Sequence, residues 1–183
     1  MKHMKRFVAL FAALALVLAM AVPAFADEPT TGSITISNAI PGTEYKAYKM
    51  FDLSYTSGDE TKPASYSYKV VDKWADFFKK GTGKTYIPVD DTTGYAGKPT
   101  FRADSTEAAT FAKAALEYAT TNDITATKTQ IAGQADAGKD TATVKMDGLA
   151  LGYYLVDTNA GALCSLGTTD YTAVIKEKNE VPS

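Results

Sequence analysis

The stretch LGYYLVDT, residues 151–158, is the most strand-like run in the chain: aromatic and branched side chains in close succession after Gly152, ending in polar residues. TATVKMDG (141–148) precedes it and alternates Ala142, Val144 and Met146 with polar neighbours. DYTAVIKEK (170–178) follows it, so three strands are expected in quick succession, separated by glycine-containing turns. Upstream, GSITISN (32–38) alternates Ile34 and Ile36 with polar residues, and EYKAYKMFDL (44–53) follows a Pro41-Gly42 turn. These two are expected to form a hairpin-like arrangement. In ASYSYKV (64–70), Tyr66, Tyr68 and Val70 share one face of a half-buried strand.

Between the two groups of strands lie the helices. DKWADFFKKG (72–81) places Trp74, Phe77 and Phe78 on one helical face and stops at Gly81. In DSTEAATFAKAALEYATTN (104–122), Ala108, Phe111, Ala112, Ala115, Leu116 and Ala119 follow the i, i+3, i+4 pattern, and Asp104 with Glu107 suits a capping box. Residues 121–140 are polar and read as a long surface connection. Strands outnumber helices and the helices sit together, which makes the chain mainly β: an antiparallel β-sandwich with a helical insertion.

Residues 1–26 have a basic start (Lys2, Lys5, Arg6), an apolar run, and Ala24-Phe25-Ala26 before Asp27, the layout of a secretory signal peptide. Removing 26 of the 183 residues leaves 157, enough for one domain over 27–180. Three of the 19 basic residues leave with the signal while all 21 acidic ones stay, so the net charge becomes about −5. That balance speaks against nucleic acid or an anionic membrane surface as a partner once the signal is cleaved.

The only histidine, His3, belongs to the signal, which removes Ser-His and Cys-His nucleophile pairs and His-ligated zinc together. Cys164, the single cysteine, has no partner within the chain and suits a buried structural thiol. KKGTGKT (79–85) ends like a phosphate loop, but the first glycine of that signature would fall at Phe78, so a turn is expected. Asp90 and Asp91 offer two adjacent carboxylates where a calcium ion wants about six oxygens, and a solvated turn fits better than a metal site. No cofactor is expected, and no carboxylate pair suggests an enzyme.

Taken together, residues 32–55, 68–78, 105–119 and 151–169 resemble the N-terminal domain of Gram-positive, sortase-assembled pilins. The resemblance implies an Ig-like β-sandwich, an extracellular location in a cell-surface pilus, and a non-enzymatic role in fibre assembly and cell adhesion. Its partners would be neighbouring pilin subunits and a pilin-specific sortase. In that family the sortase passes an acyl group from an LPxTG-type signal to a lysine, typically within a WxxxVxVYPK motif followed by Asn. The matching region here is 173–179, where Lys178-Asn179 reproduces the last two motif positions and the Trp, Tyr and Pro are absent. Lys178 is the first candidate acceptor and Lys176 the second. The family also implies an internal isopeptide bond, for which Lys46 or Lys49 with Asn179, assisted by Glu177 or Asp157, is the arrangement these residues offer. Val181-Pro182-Ser183 then reads as the start of a linker to a further domain.

An alternative remains from the tyrosines. Tyr66, Tyr68, Tyr153 and Tyr154 suit strand packing, yet exposed aromatics also stack on sugars. A secreted monomeric adhesin or carbohydrate-binding module, with a host glycan or matrix protein as partner, is the second reading.

Overall fold

The computed structural model describes residues 30–56, 65–97, 99–101, 105–158, 161–167 and 170–177. Residues 1–29, which include the expected signal segment, and Asp104, Lys178, Asn179 and the expected linker residues Val181-Pro182-Ser183 lie outside them.

The chain forms β1 (Thr31–Ala39), β2 (Glu44–Thr56) and β3 (Ser65–Val70), then a 3₁₀ turn (Asp72–Trp74) leading into α1 (Ala75–Lys79). Two further helices follow, α2 (Gly83–Tyr86) and α3 (Thr106–Thr121), and then β4 (Lys128–Ile131). The last four strands are β5 (Ala142–Ala150), β6 (Gly152–Val156), β7 (Ala162–Leu166) and β8 (Thr172–Lys176). One sheet has the order β5-β1-β8; the other runs β3-β2-β6-β7, with β4 lying along the first half of β2. The fold is mainly β, an Ig-like sandwich of two sheets with a small helical part. Every pairing is antiparallel except β1 with β8, which is parallel.

Two apolar cores explain which side chains the strands need. Between the sheets, Ile34, Ile36, Val144 and Met146 meet Tyr45, Ala47, Tyr154 and Val156. On the other face of the larger sheet, Tyr48, Phe51 and Leu155 pack under Trp74, Phe77, Phe78 and Phe111. Strand β6 is therefore covered on both sides, Tyr154 and Val156 facing one core and Leu155 the other. That double burial accounts for its continuous apolar run.

Helix α3 buries Ala108, Phe111, Ala112, Ala115 and Ala119, as the periodicity predicts. Its start differs by one residue from the expectation. Ser105 is the N-cap, its Oγ accepting from the Ala108 N–H at 3.2 Å. Ser105→Ala is expected to cost about 1 kcal/mol and lower Tm by roughly 2–4 °C in a thermal melt.

Two other expectations are corrected. β1 and β2 do not form a hairpin: Ile34 and Ile36 of one and Tyr45 and Ala47 of the other pack face to face, so the strands belong to opposite sheets. The Pro41-Gly42 turn carries the chain across, closed by Thr43 N–H donating to Ile40 O at 3.1 Å. Within the polar connection 121–140 lies strand β4, whose side chains are all exposed. Backbone pairing with β2 holds it, from Glu44↔Ile131 to Ala47↔Lys128, and with its one apolar residue, Ile131, exposed it shows no buried face in the sequence.

Candidate functional site

Strand β8 pairs with β1 and with no other strand among those described. Ser33 N–H donates to Tyr171 O at 2.8 Å, and Glu177 N–H donates to Ser37 O at 3.0 Å, so odd-numbered residues turn their backbone groups toward β1. The amides and carbonyls of Thr172, Val174 and Lys176 consequently point to the free edge. Their side chains are exposed too, Val174 by 75%, while Ala173 and Ile175 pack toward the inter-sheet core.

Beside this edge runs a groove of about 330 Å³, floored by Ala108 and Ala112 of α3 and by Ala162 and Leu163 of β7, with Val174 and Lys176 on its rim. The small side chains of α3 leave the space. Lys176 is exposed and forms no ion pair with the described residues. Lys178, two residues on, lies outside the described residues.

Immediately after Lys176 the chain is tied down. Glu177 is only 4% exposed. The Tyr45 hydroxyl donates to Glu177 Oε2 in a short hydrogen bond and accepts from the Ile40 N–H at 2.9 Å. Burial first, and the Glu177 carboxyl second, push the Tyr45 phenol up to about 12. The bond joins β2 in one sheet to the end of β8 in the other. Nothing in the sequence around Tyr45 distinguishes it from the other strand tyrosines, since its partner is 132 positions away.

The residues expected to form an internal isopeptide separate into two places. Lys46 lies on the surface, paired with Glu44 at 3.0 Å, and interacts electrostatically with Asp157. Asp157 in turn feels the charge of Glu177, so Lys46, Asp157 and Glu177 form one loose charged group; Asn179 lies outside the described residues. Lys49 is elsewhere, its side chain largely buried and 2.5 Å from Asp52 Oδ1. A bulge between Lys49 and Phe51 brings these two onto the same face of β2. Gly152 on β6 makes room for them, because a Cβ there would stand 2.6 Å from Lys49 Cε.

Asp157 is half-buried, and burial first, then repulsion from Glu177 and Glu44 against the attraction of Lys46, raises its carboxyl above the ordinary range. A raised carboxyl contributes its full stability below its ordinary value and loses it as pH rises from there through the raised value. Asp157→Asn is accordingly expected to raise Tm at pH 7. Melts at decreasing pH should show the gain vanishing as the solution approaches about pH 4.

The remaining sequence candidates have structural uses. Asp90 Oδ1 accepts from the Thr92 and Thr93 N–H groups (3.0 and 2.6 Å) and from Thr93 Oγ1 (2.8 Å), and these bonds hold its carboxyl below the usual range. Asp91 O accepts from Lys79 Nζ at 2.8 Å. Among the described residues no group of three or more acidic, Cys or His side chains gathers as a metal site. The Cys164 thiol is pushed up to about 12 by burial, which keeps it a protonated, unreactive group.

Gly83 of the phosphate-loop-like stretch sits in α2 against aromatic rings, where an added Cβ would fall 2.6 Å from Phe77 Cδ1 and 2.9 Å from Phe78 Cδ1. Gly83→Ala should therefore destabilise by about 1–3 kcal/mol in a denaturant melt, while added phosphate or nucleotide leaves the wild-type Tm unchanged.

Of the four weighed tyrosines, Tyr154 is fully buried and donates to Ala150 O at 2.6 Å, Tyr68 and Tyr153 are half-buried, and Tyr66 alone is exposed, by 49%. Tyr66 lies against Tyr55 at a centroid separation of 5.0 Å. No protein-family model matches the chain, and no curated protein does either.

Proposed function

We propose that this chain is a structural subunit of a covalently assembled Gram-positive surface fibre, contributing to cell adhesion, with the linkage amine at the end of β8. One observation carries the reading: Lys176, exposed and without an ion pair to the described residues, stands on a strand edge that no described strand covers, at the rim of a groove and beside a backbone pinned by Glu177. The free edge suits an extended peptide, which adds a strand by main-chain hydrogen bonds and fills the groove with small side chains.

The chemistry is an acyl transfer. A sortase holds the carbonyl of a neighbouring subunit's sorting signal as a thioester. The Lys176 amine, having lost a proton to a base of the docked enzyme, attacks that carbonyl; an amide forms and the cysteine thiolate leaves. The domain supplies position and access, and the sortase supplies catalysis. Lys178, the first candidate from the sequence, lies outside the described residues and remains the alternative for the same role.

The experiment is to incubate residues 27–183 with a pilin-class sortase and an LPxTG-type peptide and weigh the product. A single added acyl-peptide mass is expected. An unmodified chain, under conditions where the enzyme hydrolyses the peptide, would overturn the proposal.

A further inference from the structure

β1 opens the described fold and β8 closes it, and the two are neighbours running in the same direction, in register from Ser33↔Thr172 to Ser37↔Lys176. β8 has no other hydrogen-bonded strand partner among those described, so this ladder is what holds it. Side chains reinforce it at the far end: Ser37 Oγ donates to Ile175 O at 3.3 Å, and the Tyr45 hydroxyl donates to Glu177.

Direction decides how such a ladder fails. In a parallel pair, the start of one strand and the end of the other lie at opposite ends of the ladder. Tension between Thr31 and Lys176 would slide the strands along one another and load all the bonds together. β1 and β5 present the opposite case. They are antiparallel with Thr31 opposite Ala150, so tension between those two residues opens the ladder from one end, bond by bond.

We propose that the β1–β8 pair is a shear clamp, which makes this domain a force-bearing module for tension applied between the start of β1 and the end of β8. The Tyr45–Glu177 bond sits at the loaded end of β8 and ties it to the second sheet. The inference stands apart from the linkage chemistry. A load entering through the Lys176 amine and leaving along the chain past Glu177 would not cross the ladder at all.

Single-molecule pulling tests it with two handle placements on residues 27–183, both in a Cys164→Ala background: Thr31→Cys with Lys176→Cys, and Thr31→Cys with Ala150→Cys. All three handle sites are exposed. Equal thermal melts of the two proteins establish that both are folded. At one pulling speed the first placement is expected to unfold at a force at least about twofold higher than the second. Any smaller ratio overturns the clamp. Adding Tyr45→Phe should lower the force in the first placement only; an equal change in both would remove the Tyr45–Glu177 bond from the device.

Discussion

Tyr45→Phe is expected to destabilise the domain by about 2–3 kcal/mol, a fall in Tm of roughly 5–10 °C, although it deletes one oxygen and leaves the ring in place. The phenol serves two groups at once, accepting from the Ile40 N–H and donating to the buried Glu177 carboxyl. Removing it takes a charge-assisted bond from a carboxylate that water scarcely reaches, and the desolvation cost of that carboxylate remains. Glu177→Gln keeps an acceptor for the phenol and should cost less. A double-mutant cycle between Tyr45→Phe and Glu177→Ala should show strong coupling, because each single change already breaks the same bond. Additive losses would mean that Glu177 is held by other contacts. Alkaline pH gives a further sign. The raised Tyr45 phenol contributes stability that is lost as pH climbs from the ordinary value of 10 toward about 12, so Tyr45→Phe should flatten part of the alkaline unfolding curve.

Lys176→Arg is expected to reduce formation of the sortase-linked product at least about tenfold while leaving Tm within about 1 °C, since the side chain is exposed and forms no ion pair with the described residues. Arginine keeps the charge and length but offers no nucleophilic amine at accessible pH. The paired change Lys176→Arg with Lys178→Arg should abolish the product. Full activity of that double variant would place the linkage elsewhere and leave β8 a plain edge strand. Intact melting beside lost linkage separates a chemical role for Lys176 from a structural one.

Local patterns revealed the elements far better than their partners. The apolar run of LGYYLVDT and the alanine face of residues 106–121 each identified an element, because burial on a fixed face imposes a period on the sequence. Period two, however, says which face of a strand is buried and not which strand lies beside it. Ile34, Ile36, Tyr45 and Ala47 fit a hairpin and a face-to-face pair equally well, and the structure takes the second. β4 escaped notice because its one apolar residue, Ile131, is exposed like the other three, so no buried face imposes a period on it, and its pairing with β2 is through the backbone.

The candidate site divides along the same line. Lys176 and Glu177 were both named from the sequence, but their opposite fates, one exposed and one buried, depend on the parallel register with β1 and on Tyr45. Likewise, Lys49 and Asp157 both suit an isopeptide in sequence, while the bulge in β2 turns Lys49 toward Asp52.

Tandem mass spectrometry of the sortase-treated protein tests the central claim most directly. The account predicts a branched peptide in which the acyl group of the sorting signal is joined by an amide to the amine of Lys176. A branch on a lysine remote from β8, such as Lys113 or Lys145, would contradict it.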